Sequence, residues 1–507
     1  MKRRVFSLLL IALMLVTVCL TSVGCNGKGD ESSNNGATTE GGFFGFEIPE
    51  GVDYSGRTVR VLTTSTAQGK STHQIKPENN PLYSAENASA VMNTAAECTR
   101  LVEEQLGITV EEEVVYTWSR YGGDMYKRMQ QDAMSGTGDY LFAMPCTIEA
   151  GMLSIEGLLY DLNEVPYIDL TREWWSQSFN EAVTIDGKTY FAIGDIGTVN
   201  KDATFFVAFN KKMIESNGIV EKYGYNTLYE MVDDMAWTQD VYFEMAKSVY
   251  QDLNNNNVCD PGDINGIAGQ NGAIYNMLTG AGEKIVDLDE DGYPMLAVNN
   301  ERAIKIINNA QEYFKDPQSG FIAADDYFDK SQTPVPDVIV PEFKADRLLF
   351  FMDAILNLDN IRDMESDFGV LPCPLYDDDQ ENYVSQIGCW SANCIVVPTY
   401  VPEADLELAG IFIEALSAVS NDMLTPVYYE QTLQYQIARD EDSMRMLDII
   451  FSTRTCELAE IYNLDVFRTV TGMITAQQGT FVSALDAVEE KTEVRLAEIV
   501  DSYKNNG

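Results

Sequence analysis

The segment Asp252-Leu253-Asn254-Asn255-Asn256-Asn257-Val258-Cys259-Asp260-Pro261-Gly262-Asp263 spaces its oxygen atoms as a calcium loop does. With Asp252 at position 1, Asn254, Asn256, Asp260 and Asp263 fall at positions 3, 5, 9 and 12, and Val258 offers its carbonyl at 7. Asn256 stands where an acid would bind harder, and Asn257 stands where glycine is usual. Asp263 is shorter than the bidentate Glu common at position 12. Fewer charges mean weaker binding, so the ion would be a structural calcium. The alternative is an Asn-rich turn closed by side-chain-to-backbone hydrogen bonds. Asp287 to Gly292 imitates such a loop, but Val298 occupies its position 12, and it reads as a hairpin turn.

Other chemistry is narrowed by residue type. The one histidine, His73, excludes a multi-His metal site and any Ser-His-Asp or Cys-His centre built on another histidine. Nine cysteines are scattered along the chain, and the seven that follow Cys25 are an odd set, which is no disulfide framework. Cys389 and Cys394 could pair across a short loop, and the other cysteines of the body read as buried small hydrophobes. The balance of 79 acidic to 34 basic residues, net −45, repels nucleic acid and anionic lipid. With so many acids, a carboxylate-pair glycosidase at the cell surface stays open as an alternative.

The N-terminus is an address. Lys2, Arg3 and Arg4 precede the apolar run Val5 to Leu20, which ends at Ser22-Val23-Gly24-Cys25. The run is shorter than the roughly 20 residues of a bilayer span. Its ending resembles the lipobox of bacterial lipoproteins. That implies a leader over 1–25, with Cys25 becoming the lipidated first mature residue. Residues 26–53 are expected to be a flexible tether, most clearly the Gly-, Ser- and Asn-rich part 26–40. The expected location is the outer face of the cell membrane, anchored through lipid.

These groups need a frame to hold them. Thr58 to Leu62 is a β-branched run, Ala88 to Leu106 is helical with Gly107 as its stop, and Ile108 to Val115 alternates as a strand. Tyr126 to Ser135 reads as a helix and Tyr140 to Met144 as a buried strand. This βαβαβ order predicts an α/β fold with a parallel sheet, its ligands lying beyond the carboxyl ends of the strands, at Thr63 to Ala67 and Pro145 to Glu149. A hairpin is expected over Lys284 to Leu296, a strand at Cys394 to Val397, a helix over Glu403 to Val419, and a C-terminal helix with Leu485, Val488, Leu496, Ile499 and Tyr503 on one face.

Five segments in order over most of the body carry a resemblance. These are Phe209-Asn210-Lys211-Lys212-Met213, Leu228 to Lys247 (LYEMVDDMAWTQDVYFEMAK), Asp367 to Tyr376 (DFGVLPCPLY), Ser391 to Pro398, and Tyr428 to Tyr462. Together they resemble the extracellular solute-binding proteins of bacterial ABC importers, in the sugar-binding group. The resemblance implies a two-lobed periplasmic-binding-protein-like fold, each lobe a mostly parallel sheet flanked by helices, with the ligand cleft between lobes. It implies crossovers near Asp195 to Asn200, Gln386 to Trp390 and Asn421 to Pro426. One lobe would then hold 54–198 plus 388–422, the other 199–387 plus 423–507. The implied partners are a small solute, such as a mono- or oligosaccharide, and an ABC permease. The chain would act as a monomer without catalysis. A surface sensor without transport is a further alternative.

A sugar offers a C–H face to an aromatic ring and a rim of hydroxyls to fixed donors and acceptors. Under the resemblance, the ligand contacts are sought at Trp390 on a crossover, at one of the adjacent Trp174 and Trp175, since two neighbours on a helix cannot both face one core, at Trp118 and Tyr121, and at Asp195, Asp353, Tyr428 and Tyr429. Trp237 reads as core.

Overall fold

The computed structural model describes residues 42–43, 45–65, 73–80, 83–86, 88–117, 119–136, 138–270, 272–329, 333–432, 441–474 and 479–506. The leader and Cys25 lie outside these residues. The expected tether does not extend to residue 53. Gly42–Phe43 and Phe46–Glu47 pair as a small hairpin against the helix Glu403–Thr432, with Phe46 buried.

The first sheet holds three parallel strands, Thr109–Tyr116, Thr58–Ser65 and Tyr140–Met144, in that spatial order. The helix Ala90–Leu106 connects the first two. Ser89 caps it by accepting the Met92 N–H at 3.2 Å, and Gly107 ends it at φ 69°, where a side chain would be strained. Its buried face, Ala95, Cys98, Val102 and Leu106, packs on the helix Glu403–Thr432. The returning segment 392–398 adds to this sheet through antiparallel bridges Ala143↔Val396 and Ala192↔Ile395, so the strand expected at Cys394 to Val397 is present as single bridges.

The second sheet has five strands in the order Phe321–Ala323, Asn265–Gly269, Leu348–Ala354, Phe205–Asn210, Phe368–Leu371. The first three are parallel. Phe205–Asn210 runs antiparallel to both its neighbours, because the chain enters this sheet there from the first. Trp237 is fully buried beside it, its Nε1 donating to the Pro372 carbonyl at 3.1 Å and its ring against Phe350 and Tyr242. The predicted hairpin forms from Val286–Leu288 and Pro294–Leu296, with Gly292 at φ 79°.

Two hydrophobic clusters underlie the sheets, one of them drawing on residues 46–196 and 395–424. The segments joining them run side by side: Gly388 N–H donates to the Ala203 carbonyl at 2.9 Å, and Ile387 N–H to the Thr455 carbonyl at 2.8 Å. Where a third crossover was expected, Asn421 to Pro426 continues the long helix, which carries Pro426 inside it. All cysteines of the described body are free and buried, Cys389 and Cys394 included. No helix among the described residues is long and apolar enough to cross a membrane.

Candidate ligand-binding cleft

A cavity of about 380 Å³ opens beyond the carboxyl ends of parallel strands from both sheets. From the first sheet's side come Thr117, just after Thr109–Tyr116, then Arg120, Trp390 and Ser391. From the second come Gln270 and Asp353 at strand ends, Tyr275 and Asn276 on the helix Ala273–Gly280, and Glu460 on the short helix Leu458–Ile461. The cleft therefore lies beyond carboxyl ends of strands, as expected, with a refinement. Thr64 and Glu149, in the expected loops, stand behind the wall and hold Arg120 there.

Trp390 presents a ring that is 44% exposed, the largest exposed aromatic surface on the lining. Tyr121 meets it edge-on, 5.7 Å between centroids at 73°. Arg120, 1% exposed, ties the segment down by donating from Nε to the Trp390 carbonyl at 2.9 Å. Its Nη1 lies 3.4 Å from Thr64 Oγ1 and 3.7 Å from Glu149 Oε2. Glu149 also accepts the Cys146 N–H at 3.0 Å, capping its own helix, and burial pushes its carboxyl up to about 7.

Across the cleft, Asp353 is 4% exposed. It accepts from Ala354 N at 2.7 Å, Asn357 Nδ2 at 2.8 Å and Gln270 Nε2 at 3.2 Å. Burial pushes it up to about 6 despite these donors. Glu460 is pushed up to about 7 by burial, although the thiol and N–H of Cys389 and the N–H of Trp390 pull the other way.

Four side chains on this lining are buried with a polar atom that no protein group satisfies: Glu460 Oε2, Gln386 Oε1, Tyr242 Oη and Tyr275 Oη. A buried polar atom left unpaired costs about 1–3 kcal/mol. All four belong to residues that line one cavity, and each meets a group that enters it only after a small side-chain shift. Beside them stand aromatic and aliphatic walls, among them Phe205, Ile267, Met352 and Phe467. The arrangement can stack one flat apolar face and hydrogen-bond a rim of hydroxyls.

Of the residues singled out in the sequence, Trp390 and Asp353 line this cleft. Tyr121 supports it from behind, its hydroxyl donating to the Glu460 carbonyl at 2.9 Å. Trp118 lies outside the described residues. Trp174 and Trp175 are elsewhere. They sit in a turn, not a helix, so both rings enter one core at 3% exposure, and each Nε1 donates at 2.9 Å to the buried Glu414. Asp195 is engaged between the sheets, accepting from Lys201 Nζ and from Asn421 Nδ2 at 2.6 Å each. Tyr428 is buried and donates to Asp202 at 2.8 Å, while Tyr429 packs on Phe451. Arg120, Gln386, Tyr275 and Glu460 went unread. Gln386 alone had a signal, at the margin of a crossover.

The 252–263 loop is closed by its own hydrogen bonds. Asn255 and Asn257 both take φ 60°. Asp252 accepts from Asn256 N at 3.2 Å and Asn257 N at 2.8 Å, and Asn256 Oδ1 accepts from Val258 N at 2.8 Å. Asp260 accepts the side-chain amides of Asn254 and Asn256 at 3.1 and 2.6 Å. Asp263 is fully buried, and its Oδ2 has no partner. Among the described residues no group of three or more His, Cys, Asp or Glu is gathered closely enough for a metal.

No protein-family profile matches this sequence, and no curated protein does. Solved structures match over nearly the whole fold. An ABC substrate-binding protein of Listeria monocytogenes in complex with cycloalternan aligns at TM-score 0.55 and 14% identity, covering 87% of this chain and 99% of its own. A cyclo/maltodextrin-binding protein complexed with maltotetraose aligns at 0.54 and 14%, covering 88% and 99%. An extracellular solute-binding protein of Staphylococcus aureus in complex with maltose aligns at 0.54 and 12%, covering 86% and 98%. The fold is therefore the two-lobed α/β architecture of binding proteins.

Proposed function

We propose that this chain is an extracellular solute-binding protein that captures a mono- or oligosaccharide and delivers it to an ABC permease. The observation that carries this is the set of four unsatisfied, buried polar atoms around a cleft floored by the exposed Trp390 ring. The cleft, about 380 Å³, is near the lower end of the usual 300–1,000 Å³ for ligand pockets, which suits one or two sugar rings. The sugars in the three solved neighbours agree with that chemistry. Lobes 54–198 plus 388–422 and 199–387 plus 423–507 would close over the solute about the paired crossovers, and the closed form would dock on the permease. The reaction is capture alone, with no covalent step, by a monomer held outside the cell by lipid on Cys25.

The test is thermal unfolding against a panel of sugars. A ligand that binds only the folded state adds about 3–4 kcal/mol at 100–1,000 times its dissociation constant. A selective upward shift with unchanged sugar recovered from the tube supports capture. Product formation would favour the glycosidase reading, and a flat panel would remove the sugar.

A further inference from the structure

The ionisable groups on the cleft wall are unequal in how they are satisfied. Arg120 is occupied by the Trp390 carbonyl, Thr64 and Glu149. Asp353 has three donors. Glu460, 8% exposed, lies against the N–H groups of Cys389 and Trp390 with one side and leaves Oε2 without a partner. Its titratable surroundings are the Cys389 and Cys456 thiols, Glu457, and the hydroxyls of Tyr275 and Tyr121. None of these is a cation. Lys284 lies toward Glu457 and pairs with Asp287 at 2.6 Å. Arg468 stands over the Tyr121 ring at 5.9 Å and is held by Asp465 and Asn463.

This corner is therefore a buried carboxylate lacking a counter-charge, walled by aromatic rings. Trp390 is partly open, and Tyr275 packs edge-on against Phe467 with centroids 5.1 Å apart. Ring faces carry negative charge and favour a cation, as an unpaired carboxylate does. A neutral hydroxyl would satisfy Oε2 but leave the charge uncompensated. An anionic group would meet Asp353 and Glu460 with Arg120 already spent. We infer that the cleft selects a solute bearing a protonated amine on a hydroxylated frame, an amino sugar or amino polyol, with the ammonium on the Glu460 carboxylate. This rests on the solute-capture reading above and narrows its ligand class.

Matched trios test it: glucose, glucosamine and glucuronate, their galacto and manno counterparts, and cellobiose against the disaccharide of two glucosamines, each titrated calorimetrically. The amine member of a trio should bind at least tenfold tighter than the neutral one, and the acid should not bind. Glu460→Gln, checked by circular dichroism for its fold, should bring amine and neutral sugar to equal affinity. In the native chain the affinity per protonated amine should fall about tenfold between pH 8 and pH 6, because an acid titrating near 7 falls from about nine-tenths to one-tenth ionised. The neutral sugar should not change over that range. A neutral member binding as tightly as its amine overturns the inference and leaves sugar capture standing. Silence across every trio overturns both.

Discussion

Replacing Lys201 by Met tests where the two halves of the fold are joined. The Lys201 side chain is 2% exposed and its ammonium sits 2.6 Å from Asp195, itself 15% exposed and held by Asn421 at 2.6 Å. Burial pulls the Lys201 ammonium below its ordinary value, more than Asp195 restores. Asp195 also suffers desolvation, yet Lys201 and Asn421 outweigh it and hold its carboxyl low. The pair's own attraction is thus largely offset by its burial, and removing Lys201 leaves Asp195 with the buried Arg454 as its neighbouring cation. Breaking a buried pair costs about 3–5 kcal/mol, and Arg454 should hold the loss to the lower part of that range. Denaturant unfolding of Lys201→Met should show that loss, and Asp195→Asn added to it should recover only part of it, because Arg454 then lacks its acid. The double variant should bind ligand within about twofold of the native chain, because neither residue lines the cleft. A single variant within 1 kcal/mol of native, or a double variant that loses ligand, refutes the structural role and returns Asp195 to the binding site.

Trp390→Ala should weaken sugar binding about tenfold to a hundredfold by calorimetry, the worth of about 1.4–2.8 kcal/mol. It should change stability by less than about 1 kcal/mol, since the ring is 44% exposed. An unchanged dissociation constant would move the stacking platform elsewhere. The buried acids set a pH profile. Glu149, Glu414, Glu457 and Glu460 are raised by burial to about 7 in the folded chain. Groups raised on folding contribute stability fully below their unfolded value, near 4.5, and lose it as pH rises through the folded value. The melting temperature should fall between pH 5.5 and pH 8, and Glu414→Gln should flatten part of that slope. A melting temperature that climbs over this range contradicts the burial argument.

The βαβαβ start was legible because its signals are local. The Thr58–Ser65 strand is β-branched, Ser89 and Gly107 bracket a helix, and carboxyl ends of parallel strands point to a site whatever follows. Trp390 was legible for the same reason, being a large ring on a segment that passes between sheets. The tryptophan pair misled because two neighbours on a helix cannot share a core, while two in a turn can, and only Glu414, 239 residues beyond Trp175, brings them together. Asp195 misled in the same way: an acid beside a crossover serves a ligand or a lysine equally well until Lys201 is seen on it. Glu460 was out of reach altogether. What distinguishes it from the other acids on the cleft lining is not its type or spacing but a buried oxygen left without a donor, and that depends on everything that fails to touch it. A ligand site of this kind is defined by unmet hydrogen bonds, so a sequence can name the strands that end at it but not the group that waits there.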